Sequence, residues 1–175
     1  MKKITPELIQ QAYALGNTLP WDPDCGAPEL YFPTSNYYRP FQALTQIAQP
    51  EITVELGTCG GGAAFHLAKG YPEGKVYTVD IDYNSHTRTV DRALDRCPNL
   101  HFMLDDSIEV AAKFAEQSVG IIFVDTTHTY HRTLAEYLAW KDKLKPEGVF
   151  IFDDIRRPRM REAMDEIGGK ELYYP

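Results

Sequence analysis

From residue 50 onward the apolar positions gather into short unbroken runs. ITVEL, KVYTVD, LHFML, GIIFVD and GVFIFD are separated by stretches of helical spacing that begin near Gly60, Asn84, Ser107, Tyr130 and Pro158. Strands alternating with helices predict an α/β fold with a mostly parallel sheet and right-handed crossovers. The runs are nearly continuous rather than alternating, so both faces of the sheet are expected to be covered, as in a doubly wound, Rossmann-like arrangement. Ahead of them, TPELIQQAYALG has Thr5 as an N-cap, Pro6 at the first helical position and Gly16 at its end, which predicts a short helix. Tyr38 to Gln49 predicts a second helix. Between the two, residues 17–36 are rich in Pro, Asp and Gly and read as irregular. No internal repeat or low-complexity linker appears. One compact domain is expected, with residues 1–49 as N-terminal helices and an irregular substrate-side segment, and residues 50–175 as the cofactor-binding α/β part.

The strand ends share a property. ITVEL runs into glycines, the second, fourth and fifth runs end at Asp80, Asp125 and the pair Asp153 and Asp154, and the third is followed by Asp105 and Asp106. In open α/β sheets ligands bind beyond the carboxyl ends of the strands, so the acids are expected to line a functional crevice. The plainer alternative is that aspartate is a common turn and capping residue, and beside Asp106 the expected cap is Ser107.

The glycine turn narrows the ligand. Residues 54–68 read VELGTCGGGAAFHLA, with Gly57, Gly60, Gly61 and Gly62, and with Cys59 where the dinucleotide fingerprint needs its second glycine. A side chain there crowds the approach of a pyrophosphate, and no Gly-Lys-Ser/Thr follows. Glu55 would repel phosphates but could pair with an ammonium group. A tight strand-to-helix turn that binds nothing is the other reading of these glycines. Asp80 lies 23 residues after Gly57, at the end of the next strand, where an acid accepts hydrogen bonds from ribose hydroxyls. A ribose, an ammonium and no phosphate together suggest S-adenosylmethionine.

Composition removes some classes. The chain has 175 residues, 43% apolar and 25% charged, with a net charge of −7, which argues against a general nucleic-acid binder. MKKITPELIQ has no apolar core of a secretory signal, and no apolar run approaches the ~20 residues of a membrane span. Cys25, Cys59 and Cys97 are widely spaced and unpaired by count, which fits a reducing cytoplasm. A homo-oligomer is compatible with all of this.

These motifs resemble those of the class I S-adenosylmethionine-dependent methyltransferases. Residues 54–68 are similar to the first motif of that family, through Glu55, Gly57, Thr58 and Gly61; VYTVDID is similar to the second, with Asp80 as the ribose acid. FMLDDSIE resembles the adenine-contacting strand end, through Asp106 and Ser107, and LKPEGVFIFDD resembles the turn and fifth strand. The resemblance covers about residues 50–160 and implies the class I methyltransferase fold. The chain ends at KELYYP, where the first strand of the C-terminal hairpin usual in that fold would begin. Either the sequence is a shortened piece of a longer chain or the fold is a reduced form with a sheet of six strands at most.

The stretch FVDTTHTYHRTLAEYLAWKDKLKPEGVFIFDDI is similar to the subgroup that includes catechol O-methyltransferases and metal-dependent sugar O-methyltransferases. The resemblance implies a divalent ion, Mg²⁺ above all, held by Asp125, Asp153 and Asp154, the last standing where the catechol enzymes have Asn. It implies His128, three residues after Asp125, as the general base where those enzymes carry Lys. An imidazole near its ordinary pKa suits that task, and a metal would lower the pKa of the acceptor hydroxyl. His131 is expected to face solvent. The implied activity is metal-assisted O-methylation of a small hydroxylated acceptor: a phenol, a sugar or a natural product. A non-catalytic module for S-adenosylmethionine or a nucleoside, and a nicotinamide-dependent oxidoreductase, are the alternatives; Glu55 and the missing middle glycine count against the second. Trp21, Tyr31, Phe32, Tyr37 and Tyr38 form either an aromatic lid over the acceptor or part of the core.

Overall fold

The apolar runs become strands β1 (Ile52–Leu56), β2 (Lys75–Asp80), β3 (Leu100–Leu104), β4 (Val119–Val124) and β5 (Leu144–Phe152) in a computed structural model that describes residues 1–20, 22, 38–83 and 90–168. They form one parallel sheet in the order β3-β2-β1-β4-β5. Among the described residues the sheet has five strands; KELYYP lies outside them.

The helices are α1 (Pro6–Gly16), α2 (Arg39–Ala48), α3 (Gly62–Gly70), α4 (Val90–Arg96), α5 (Ser107–Val110), α6 (Tyr130–Trp140) and α7 (Pro158–Ile167). Thr5 caps α1 as expected, its hydroxyl accepting from the Leu8 amide at 3.3 Å. The helix start expected near Asn84 falls outside the described residues.

Period-two alternation on the central strands sorts the layers. Ile121 of β4 packs with Leu8, Ala12, Ala43 and Leu44 of α1 and α2, while its neighbour Ile122 packs on the other face with Val110 and Trp140. α3 and α4 bury Phe65, Leu67 and Ala93 against Val76 and Leu100. The N-terminal helices are thus part of the main core. Both faces are covered, and every residue of β4 is buried.

β5 differs from its expected bounds. It begins at Leu144 rather than Gly148, and its pairing with β4 jumps from Val119↔Leu144 to Ile121↔Val149. The extra residues, Lys145, Pro146 and Glu147 among them, are accommodated because β5 is an edge strand among the described residues, where Pro withholds no ladder hydrogen bond and a bulge is tolerated.

The strand order reverses between β1 and β4. Such a switch point opens a crevice at the carboxyl ends of the strands. Two residues meet there: Gly57, just past β1, and Asp125, just past β4.

Candidate functional site

The glycine turn closes against the neighbouring strand. Gly57 has φ +95°, and a Cβ placed on it would lie 2.0 Å from the carbonyl oxygen of Asp125. Gly61, at φ +79°, caps α3 in a left-handed conformation. Between them Cys59 takes φ +45° and is exposed toward the cleft. The turn is held from β2: one carboxylate oxygen of Asp80 accepts from the amides of Thr58 at 3.0 Å and Cys59 at 3.2 Å, and the other accepts from the Asp82 amide at 3.2 Å.

Glu55 lies buried near the end of β1. Its side chain is 1% exposed and faces the β2 side of the sheet, where the Thr78 hydroxyl donates to it. A further bond of 2.7 Å joins Thr78 to Thr58 under the turn. Burial pushes the Glu55 carboxyl well above its ordinary pKa. It therefore braces the turn from below and lines no part of the cleft.

The strand-end acids divide by partner. Asp105 is exposed and paired with Lys113 at 2.7 Å, a solvated ion pair. Asp106 caps α5 by accepting from the Ile108 amide at 2.8 Å, and it also meets Arg132. Asp125 and Asp153 converge with His128: one donor atom from each lies within 4.8 Å of the others. His128 Nε2 is 2.9 Å from Asp125 and 3.7 Å from both Asp153 and Asp154. Asp154 takes φ +53° and pairs with Arg157 at 2.6 Å. The group that could hold a cation is Asp125, His128 and Asp153, with Asp154 also 3.7 Å from His128 while it pairs with Arg157.

His128 is not near its ordinary pKa. The hydrogen bond to Asp125, with the nearby Asp153 carboxylate, raises it from 6.5 to about 9, so without a cation it is an imidazolium at neutral pH. Asp125 is itself raised, by burial first. A folded-state pKa above the unfolded one gives stability that is complete below about pH 6.5 and lost as pH rises through about 9. With a chelator present, the thermal midpoint is expected to fall between pH 7 and pH 9.5. His128→Gln is expected to flatten that slope; an unchanged slope would show that His128 is not paired in solution.

A second cluster escaped the sequence reading. Arg132 on α6 donates through Nη1 and Nη2 to the two oxygens of Asp106, each at 3.0 Å, through Nη2 to Ser107 Oγ at 2.6 Å and through Nε to Glu136 at 2.9 Å. Glu136 is fully buried and also accepts from Ser107 at 2.6 Å and Thr126 at 2.9 Å. The Arg132 bond holds the Asp106 pKa below the usual range. Trp140 Nε1 donates to the Ser107 carbonyl at 2.8 Å and locks the same corner.

These groups frame one cleft of about 350 Å³, lined among others by Gly57, Asp80, Ile81, Ser107, Asp125 and Arg132. Thr58, Gly61 and Asp106 are not among the lining residues, though Thr58 and Asp106 bond to Asp80 and Arg132, which are. Of the aromatic-lid residues only Tyr38 is described: it is half-buried and stacks on His66 at 5.8 Å, while Trp21, Tyr31, Phe32 and Tyr37 lie outside the described residues. Burial, then Glu55 and Asp125, raises the Tyr38 phenol. His131 is exposed, as expected.

A methyltransferase domain family matches residues 54–155. A catechol O-methyltransferase of Niastella koreensis is 25% identical over 120 residues, 65% of this chain and 52% of that protein, so the chain spans about half the length of this curated relative. The O-methyltransferase TomG of Streptomyces achromogenes, solved with S-adenosylmethionine, superposes with a TM-score of 0.68 at 13% identity, covering 98% of this chain and 88% of TomG. A methyltransferase from Geobacter sulfurreducens gives a TM-score of 0.67 at 19% identity over 94% of this chain and 87% of that one. At these identities the structures show a shared fold.

Proposed function

The chain belongs to the methyltransferase domain family, and we propose that it moves a methyl group from S-adenosylmethionine to a hydroxyl of a small acceptor, with a divalent ion assisting. One observation carries this reading. Asp125 lines the cleft beside Gly57 and Asp80, and the same carboxylate anchors His128 and adjoins Asp153. A cofactor slot and a proton-handling cluster thus share a wall. The likeness to a catechol O-methyltransferase supports the acceptor class, and the fold shared with the S-adenosylmethionine-bound TomG supports the cofactor.

Asp80 is proposed to accept from the ribose hydroxyls while it holds the Thr58–Cys59 turn, and the open side of Gly57 admits the sulfonium end. The acceptor hydroxyl approaches the Asp125–His128 edge. As its oxygen bonds to the methyl carbon, the carbon–sulfur bond breaks and S-adenosylhomocysteine leaves. In the ion-free site the proton passes to the unprotonated fraction of His128, which grows as pH rises toward its pKa of about 9, with Asp125 holding the ring at 2.9 Å. Transfer to a sulfonium neutralises charge, so alignment of the two reactants does much of the catalysis.

Two carboxylates and an imidazole within 4.8 Å, all half-buried, fit a divalent ion; Asp125, Asp153 and His128 would hold it. A nitrogen in the set favours Mn²⁺ alongside the Mg²⁺ that an all-oxygen set would take. Such an ion supplies a Lewis acid that lowers the pKa of the acceptor hydroxyl.

Among the described residues no helix is long and apolar enough to cross a membrane, and Cys59 and Cys97 are free thiols, which supports a reducing, cytoplasmic setting. Thermal shift with S-adenosylhomocysteine, NAD and ATP tests the cofactor: S-adenosylhomocysteine alone should stabilise the fold. Stabilisation by NAD instead would replace this reading with the oxidoreductase one. Asp80→Ala is expected to weaken S-adenosylhomocysteine by about 1–3 kcal/mol in a calorimetric titration. Unchanged affinity would remove Asp80 from the ribose site.

A further inference from the structure

We propose that Arg132 is a wall of the base slot, its guanidinium lying face-on against the purine of S-adenosylmethionine. The inference rests on the cofactor reading above and adds a contact that neither glycine turn nor ribose acid supplies.

Arg132 has little of its donor edge left to offer a ligand. A guanidinium carries five N–H donors around its edge. Four hydrogen bonds already run from that edge, two to Asp106, one to Ser107 and one to Glu136. The side chain is nonetheless 28% exposed and lines the cleft. With its edge engaged by protein acceptors, the group presents its flat face. That face stacks on aromatic rings and attracts their π-electrons.

The restraint is built from the core outward. Glu136 is fully buried on α6, one turn beyond Arg132, and its carboxylate fixes Nε. Asp106 binds the other end of the guanidinium in a two-pronged geometry that sets its plane. Ser107 and Thr126 tie the same Glu136 to the ends of two strands. A plane held at several points loses little freedom when a ligand stacks on it.

The rest of the lining suits the same guest. Ile81, the residue after Asp80, leaves 72% of its surface open and lines the same cleft. Ser107 stands at the start of α5, and the small Thr126 and Thr127 leave the space beside Arg132 unfilled. An apolar wall, a cationic plane and an adjacent ribose acid match an aromatic base joined to a sugar.

The test measures three probes on the full chain: S-adenosylhomocysteine, adenosine and S-ribosylhomocysteine, which lacks the base. Arg132→Met and Arg132→Lys are each expected to bind the first two about tenfold more weakly and to bind S-ribosylhomocysteine as before. Lysine keeps a cation for Glu136 without the plane, so it guards against loss of folding in the methionine variant. Ile81→Ala, at an exposed position, should show the same base-selective loss. Equal weakening of all three probes would make Arg132 a purely structural residue, and no weakening would remove it from the slot; either overturns the proposal. Failure of the unaltered chain to bind S-adenosylhomocysteine would instead overturn the cofactor reading itself.

Discussion

Alanine at position 57 is expected to lower stability by about 3–5 kcal/mol, which for a domain of this size is a fall of roughly 10 °C in the thermal midpoint, and to abolish measurable cofactor binding. Two independent costs combine. Gly57 has φ +95°, a conformation that an L-residue adopts only with a strain of roughly 1–2 kcal/mol. The added Cβ would also stand 2.0 Å from the Asp125 carbonyl oxygen and 2.7 Å from its carbon. Those atoms are backbone and cannot rotate away. They are fixed in turn, since the Asp125 amide donates to the Leu56 carbonyl at 2.8 Å and the Gly57 amide to Val79 at 2.8 Å. Relief requires the ends of β1 and β4 to part, which moves Asp125 and opens the switch point. Gly61→Ala provides the comparison: its φ is +79°, but its nearest neighbours are a Val90 methyl at 3.0 Å and the Val90 Cα at 3.1 Å, a much milder contact than 2.0 Å. The order of the two midpoints, measured by calorimetry, separates backbone collision from conformational strain. A Gly57→Ala protein that melts like the unaltered chain would show that the β1–β4 junction is looser than its hydrogen bonds imply.

The sequence was legible where one physical signal dominated. β1, β2 and β3 coincide with their apolar runs, which are set off by Pro50, Gly57, Gly74, Pro98 and Asp105 close to their ends. β5 was read short because LKPEG looks like a turn; its edge position allows Pro146 and Glu147 into a strand that a central position would refuse. Asp80, Asp125 and His128 were readable because their offsets from strand ends fix where they stand. An acid next to a glycine turn reads as a ligand group; the central strand points the Glu55 side chain into the protein, toward Thr78, which its place in the sequence does not reveal. Arg132 and Glu136 were missed for the opposite reason. An Arg and a Glu four apart on a helix ordinarily make an exposed pair of little energetic weight. The signal that could have found them is the buried stripe of α6, in which Thr133, Glu136 and Trp140 share one face. A carboxylate on the same stripe as a tryptophan must be buried, and a buried carboxylate must be bonded.

Asp125→Asn is expected to lower methyl transfer by roughly 10²–10⁴-fold on any accepted acceptor, the span of a lost acid–base function. The change keeps size and removes charge, so the turn against Gly57 should survive and S-adenosylhomocysteine affinity should stay within a few-fold. The chemistry loses two things at once. His128 Nε2, 2.9 Å from the carboxylate, loses the partner that orients it and favours a proton there. The cluster with Asp153 also loses one of its three donors for a cation. Chelation separates these roles. If the ion matters, EDTA should depress turnover of the unaltered protein and added Mg²⁺ or Mn²⁺ should restore it, while Asp125→Asn stays slow at any metal concentration. If turnover is unaffected by EDTA and still collapses in Asp125→Asn, the ion leaves the mechanism and the Asp125–His128 pair alone carries the proton, with a rate that climbs as pH rises toward the His128 pKa of about 9. Undiminished turnover in Asp125→Asn would move the reacting centre away from the β4–β5 edge altogether.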